Sequence, residues 1–190
     1  MKTKLLALAI AMSCTFAGSA MATTKVEYKT EKDRISGDYK VAKDKCGSLK
    51  ANAKDICMSE AKGVERIAKA EAESAYKPTA RNTEKVGMAK ADAMYNTAKE
   101  KCDDLSGNAK DVCIKDAKVV FTKAKDDAKI AKVSMDTSKS KSDKMADVKK
   151  DASADEKKAM YKAANERCDA LAGAPKDACQ NDAKVKFGMK

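Results

Sequence analysis

Residues 101–118 read KCDDLSGNAKDVCIKDAK, with two cysteines separated by ten residues, and the reading of this stretch decides the fold. Two further stretches repeat it with substitutions: KCGSLKANAKDICMSEAK from Lys45 and RCDALAGAPKDACQNDAK from Arg167. A doublet of this kind can grip a metal, carry thiol chemistry or staple a fold. The residues around it discriminate among the three.

Upstream of each first cysteine the pattern Y-x-x-A-x-x-[KR]-C-x-x-L recurs, at Tyr39/Ala42/Cys46/Leu49, Tyr95/Ala98/Cys102/Leu105 and Tyr161/Ala164/Cys168/Leu171. Steps of three and four place these residues on one helix face. After each second cysteine a new stripe begins. Cys57, Ala61, Val64, Ala68, Ala72 and Ala75 are matched, 56 residues on, by Cys113, Ala117, Val120, Ala124, Ala128 and Ala131. Small residues along such a seam let two helices approach closely. The third copy keeps Cys179 and Ala183 but has Lys186 in place of valine, and reads as a truncated repeat closed by Phe187.

Between the cysteines lie a helix stop and a helix start. Gly107 and Gly173 suit a left-handed residue closing the first helix, with Ala51 in their place in the first copy. Asn52 and Asn108 are expected as N-caps of the next helix, with Ala174 substituting in the third. Asp55, Asp111 and Asp177 are expected in its first turn, and Pro175 suits its first position. On one unbroken helix the two cysteines would stand about 16 Å apart, beyond disulfide reach. Folded back at the corner, they face each other at Cα separations of about 5–6 Å. Three bridges are therefore expected: Cys46–Cys57, Cys102–Cys113 and Cys168–Cys179.

The N-terminus supports an oxidising destination. Lys2 and Lys4 precede an apolar run from Leu5 to Met12, and Ala20-Met21-Ala22 offers a small-residue cleavage site. Residues 1–22 read as a secretory signal peptide cut after Ala22. Lipoprotein processing at Cys14 is the rival, disfavoured because the residues before it lack the usual leucine. Cleavage takes the cysteine count from 7 to 6, and an even number suits a disulfide framework in an exported chain. Without Lys2 and Lys4, 38 basic residues face 29 acidic ones, net +9. The expected location is periplasmic or secreted, with no transmembrane span after cleavage.

The mature composition is rich in Ala and Lys, with no Trp or His and two prolines in the whole chain, which favours helix over strand. The fold class expected is all-α: three disulfide-stapled α-hairpins, about six helices, in an elongated or loose bundle. Residues 23–133 would hold two hairpins, interrupted near Pro78 with Asn82 or Thr83 capping the helix that follows. Residues 134–153, polar and serine-rich, read as a linker or a fraying solvated helix, and 154–190 as the third, truncated hairpin.

Sites for chemistry are scarce. Zinc sites pair ligands at x2–4 spacing and recruit histidine, and thiol redox centres favour Cys-x-x-Cys; neither pattern is present. Seven methionines remain after cleavage, scattered from Met58 to Met189 rather than clustered as soft-metal ligands would be. The recurring tyrosines read as packing residues. Acids and bases interleave at helical spacing, as in Glu65/Lys69 and Asp111/Lys115, so the excess charge is mostly a solvated surface. With no histidine and no glycine-rich phosphate loop, no catalytic, cofactor or metal residue is assigned and an enzyme is not expected.

The full pattern Y-x-x-A-x-x-[KR]-C-x-x-L-x-[GA]-x-x-K-D-x-C resembles a group of exported Ala/Lys-rich proteins of beta-proteobacteria with repeated Cys-x10-Cys hairpins, often labelled cell-envelope or TolA-like. Leu49-Lys50-Ala51 departs from its Leu-x-Gly step. The doublets also look like the helical hairpins of mitochondrial intermembrane-space proteins, with one bridge each instead of two. The resemblance implies an envelope location and supplies no catalytic residue. Three functions follow as expectations: a non-enzymatic periplasmic scaffold, interaction or envelope-stress protein; a soft-metal (copper or zinc) binding or thiol redox-buffering protein; and a binder of anionic polymers. The partner would be an envelope protein or an anionic envelope polymer, without specific nucleic-acid recognition.

Overall fold

Thr24 starts the first helix. Its Oγ1 accepts the Glu27 N–H at 3.2 Å while the Glu27 carboxylate accepts the Thr24 N–H at 2.8 Å, a reciprocal capping box. The computed structural model describes residues 23–189, and among them six helices follow in order: α1 (Lys25–Cys46), α2 (Ala51–Tyr76), α3 (Ala80–Cys102), α4 (Gly107–Ser134), α5 (Lys141–Cys168) and α6 (Ala174–Phe187). No strand occurs among the described residues. The segment 1–22 expected as a signal peptide, the expected cleavage after Ala22 and Cys14 lie outside them.

Every helix packs against the helices before and after it in the chain and against no other. The six therefore form an open row of antiparallel helices, with each inner helix carrying a seam on both flanks. Such a row has no central core. The buried apolar residues are Ile35, three cysteines and alanines such as Ala89, Ala91, Ala128 and Ala163. Alanine gains little from burial, so close backbone approach must substitute for bulk. A Cβ on Gly87 would lie 2.5 Å from that of Ala128, and one on Gly63 2.9 Å from that of Ala93. Glycine at these points lets α3 meet α4 and α2 meet α3.

Aromatic pairs add bulk within the first two hairpins. Tyr28 and Tyr76 stack with centroids 4.7 Å apart, closing the first hairpin at the end away from its cysteines. Tyr95 and Phe121 stack at the same distance between α3 and α4.

Of the two expectations for residues 134–153, a linker or a solvated helix, most of the stretch follows the second. From Lys141 onward the stretch is the front half of α5, and Ala152 is buried. The true connection is short, Met135 to Ser140, and it is tied down. Asp136 accepts the Ser138 N–H at 2.8 Å and the Lys144 ammonium at 2.6 Å, and Lys141 donates to the Ser134 carbonyl at 2.6 Å. The polar sequence is helical because α4 packs against it; a helix in a single row needs few apolar residues. The greater repeat spacing is spread out. α4 runs two residues further past its cysteine than α2, the loop is three longer, and α5 begins five earlier than α3 relative to its own cysteine.

Candidate functional site: stapled corners, inter-repeat seams and surface grooves

The first hairpin corner is built like the other two. In each, the leucine N–H bonds the carbonyl of the first cysteine: Leu49 to Cys46 at 3.1 Å, Leu105 to Cys102 at 3.0 Å, Leu171 to Cys168 at 2.9 Å. The leucines are themselves exposed in the loop rather than part of the helical stripe. Gly107 and Gly173 take φ of +54° and +60°, and Ala51, at their place in the first copy, takes +47°. A positive φ is thus kept at this position even where glycine is missing. It sits at the entry to the second helix of each hairpin, because α1, α3 and α5 already end at their cysteines.

The cysteines pair as the spacing requires. Cys46–Cys57, Cys102–Cys113 and Cys168–Cys179 are disulfides, with Cα separations of 5.6, 5.7 and 5.7 Å. Cys46, Cys102 and Cys168 are fully buried. Consumed in bridges, the six sulfurs present no thiolate. In the second and third corners a lysine reaches back across the loop, Lys110 to Asp103 at 3.0 Å and Lys176 to Asp169 at 2.8 Å. The bond to Asp169 raises the Lys176 pKa above its ordinary value. Gly47 stands at this place in the first corner, which therefore lacks the bridge.

The corner asparagines do something the sequence did not disclose. Neither caps its own helix. Asn52 Nδ2 donates to the Glu100 carbonyl at 2.6 Å and Asn108 Nδ2 to the Glu166 carbonyl at 2.8 Å. Each reaches from one hairpin to the C-terminal turn of the next hairpin's first helix, adding a second donor to a carbonyl that the C-cap N–H of Asp103 or Asp169 already meets at 3.1 Å. They clamp repeats together. The caps lie elsewhere: Lys50, Ser106 and Gly173 precede their helices without a side-chain capping bond, and Asp55 and Asp111 lie beyond the first turn. After Pro78 the cap is Thr79, accepting the Asn82 N–H, while Asn82 itself is buried and donates to the Lys77 carbonyl.

The seams between hairpins carry repeated ion pairs. Lys101 meets Glu60 at 3.2 Å, and Arg167 at the same repeat position grips Asp116 through both carboxylate oxygens at 2.6 and 2.7 Å. Lys115 reaches Glu166, and Ser59 bonds Thr97. Val64 and Val120, expected in the hairpin seams, are instead exposed. An alanine-rich helix with two flanking seams has no single apolar face, so periodicity alone cannot assign a valine to a flank or to solvent.

The flanks leave shallow grooves on both faces of the row. Between α2 and α3, one face carries Val64, Ile67, Met94 and Ala98. Between α4 and α5, the opposite face is walled by Lys118, Lys125, Lys129, Lys158 and Lys162 around Phe121. Lys118 and Lys125 lie 4.3 and 5.3 Å from the Phe121 ring centre. At the base of this groove Asp126 is buried, and Lys129 donates to its Oδ1 at 2.8 Å, which raises the lysine pKa. Asp126 Oδ2 has no hydrogen-bond partner within the protein. No group of three or more His, Cys, Asp or Glu side chains among the described residues is placed to hold a metal ion. No helix among them is long and apolar enough to cross a membrane.

No family model matches the chain, and no curated protein or solved structure matches it.

Proposed function

We propose that this chain is a non-enzymatic helical scaffold that works in an oxidising, exported compartment, with the periplasm as the favoured location. One observation carries the reading. Six helices in an open row leave both faces of every inner helix exposed, and three bridges secure the corners of that thin structure. A row of this kind offers a long surface for its volume, which suits holding partners along its length rather than enclosing a substrate. Structural disulfides persist in exported proteins and are rare where thiols are kept reduced.

Crosslinking in intact cells, followed by purification of the oxidised protein, tests the reading. Specific envelope proteins should co-purify, and alkylation before reduction should leave all six mature cysteines unmodified. Six free thiols in protein taken from the exported fraction would overturn the stapled scaffold. The same mass measurement with added copper(I) or zinc separates it from a metal-binding or redox-buffering protein, for which bound metal or partial reduction is the expected signature.

A second reading rests on the lysine-walled groove between α4 and α5. Five lysines against Asp126 and Asp155 favour an anionic polymer of the envelope. Retention on heparin should fall steeply with salt, and the double variant K158E/K162E should elute at distinctly lower salt. Equal elution of variant and wild type would remove this groove as the binding face.

A further inference from the structure

The two inter-hairpin seams use equivalent positions, and the outer edges of the row carry the unused halves of a third. On the outer flank of α6, Asp182 stands at the repeat position of Glu60 and Asp116. On the outer flank of α1, Lys45 stands at the position of Lys101 and Arg167, the partners of those two carboxylates. Lys45 and Asp182 are exposed and form no ion pair among the described residues.

The apolar positions match as well. Gly63 packs against Ala93 where α2 meets α3. The same positions on the two outer edges are Val185 on α6, 82% exposed, and Gly37 on α1, whose Cβ would meet nothing within 4 Å. A mid-helix glycine in open space weakens the helix relative to alanine, and a Cβ there would touch nothing within the chain. It does leave room for a valine in a second molecule. Further along, Asn181 occupies the place of Lys115, and Asp44 that of Glu166, an amide donor facing a carboxylate.

We propose that a second copy of this chain docks head to tail, α6 of one molecule packing antiparallel on α1 of the next in continuation of the inter-hairpin seams. Asp182 pairs with Lys45 and Val185 seats over Gly37. Because α6 has 14 residues where α2 has 26, it covers only the C-terminal part of α1, from about Ile35 by the register of the α2/α3 seam. One contact is missing: Ala174 stands where Asn52 and Asn108 donate their clamp bonds. The association is therefore weaker than the internal seams and governed by concentration. The two surfaces differ, so the contact is heterologous and builds open chains of molecules rather than closed pairs unless the rotation closes a ring. This inference stands apart from any envelope partner, since it concerns only the edges of the row.

Zero-length carbodiimide coupling joins a lysine amine to a carboxylate in contact and provides the test. Equal amounts of isotopically light and heavy oxidised protein are mixed, coupled and digested. The Lys45–Asp182 peptide should appear, half of it carrying one light and one heavy partner, alongside a ladder of multiples on a denaturing gel. α1 and α6 share no contact within one molecule, so the product cannot arise internally. Asp182→Lys removes the coupled carboxylate itself, so its effect is read without coupling, as a fall in average mass by sedimentation, and adding Lys45→Asp should restore that mass by exchanging the charges. Ala174→Asn supplies the missing clamp and should strengthen self-association about fivefold or more, as one hydrogen bond of about 1 kcal/mol allows. Absence of the mixed-isotope peptide at concentrations near ~1 mM overturns the proposal, since that limit marks very weak binding. So does a sedimentation mass unchanged by Ala174→Asn and Asp182→Lys, with circular dichroism confirming that both variants remain helical.

Discussion

Ala51→Gly should stabilise this protein. Ala51 is the one described non-glycine residue at positive φ, +47°, and its counterparts Gly107 and Gly173 adopt nearly the same angle. For an L-residue with a Cβ this conformation costs about 1–2 kcal/mol. Glycine removes that strain but returns about 0.4–1 kcal/mol through the greater freedom of the unfolded chain. The net expectation is a gain of about 0.5–1 kcal/mol, a rise in melting temperature of roughly 1–4 °C for a chain of this size. The reciprocal change Gly107→Ala should lower stability by a similar amount, and Gly173→Ala by about 1–3 kcal/mol, since ψ of −146° takes it outside the left-handed helical region. An added Cβ at either meets nothing within 4 Å, so backbone strain acts without a clash. Thermal and urea unfolding of the oxidised proteins, followed by circular dichroism, provides the measurement. An Ala51→Gly variant no more stable than wild type, with Gly107→Ala neutral, would refute the reading of the corner.

The inter-hairpin clamps should each be worth about 1 kcal/mol in urea unfolding, so Asn52→Ala and Asn108→Ala destabilise while leaving the disulfides intact. Two glycines should respond oppositely to alanine: Gly87→Ala drives a Cβ to 2.5 Å from that of Ala128 and should cost about 1–3 kcal/mol, whereas Gly37→Ala in dilute protein should gain up to about 1 kcal/mol. Equal melting shifts for the two would contradict the packing described. The Lys144 ammonium, then the Ser138 N–H and hydroxyl, hold the Asp136 carboxyl far below the usual carboxylate range. Its folded pKa is depressed, so its contribution is present above the ordinary value of about 3.9 and lost only in stronger acid. Carboxyl-detected NMR should show Asp136 still ionised below that value, and Lys144→Met should return its titration toward the ordinary range.

The hairpins were legible because their information is local. Two cysteines, a turn, a left-handed residue and a repeat fix the corner within a dozen positions, and the three bridges follow. What escaped was relational. Asn52 and Asn108 look like helix caps because they stand near helix starts, yet their partners, Glu100 and Glu166, lie 48 and 58 residues away. Residues 134–153 look like a linker because a helix in a row needs apolar contact on narrow flanks only, and α5 meets that need with a few alanines. Val64 and Val120 keep helical spacing with the alanines around them, but no periodicity distinguishes a flank from an open face when both are lined by small side chains. The basic groove around Phe121 joins Lys118, Lys125 and Lys129 to Lys158 and Lys162 from another hairpin, and so required the pairing of α4 with α5 to be known.

The three bridged corners all lie at one end of the row, and the two unbridged connections, at Pro78 and at residues 135–140, lie at the other. The bridged loops also expose Leu49, Leu105 and Leu171, side chains that many proteases favour. A cut there falls between the cysteines of a bridge, so the severed ends stay covalently joined and the helices keep their seams. A cut in either unbridged connection leaves two pieces held by packing alone. Peptide bonds broken at one end of the molecule are thus without mechanical consequence, while at the other end each broken bond frees a whole hairpin to leave. Vulnerability to proteolysis is written into which end of the row carries the sulfur.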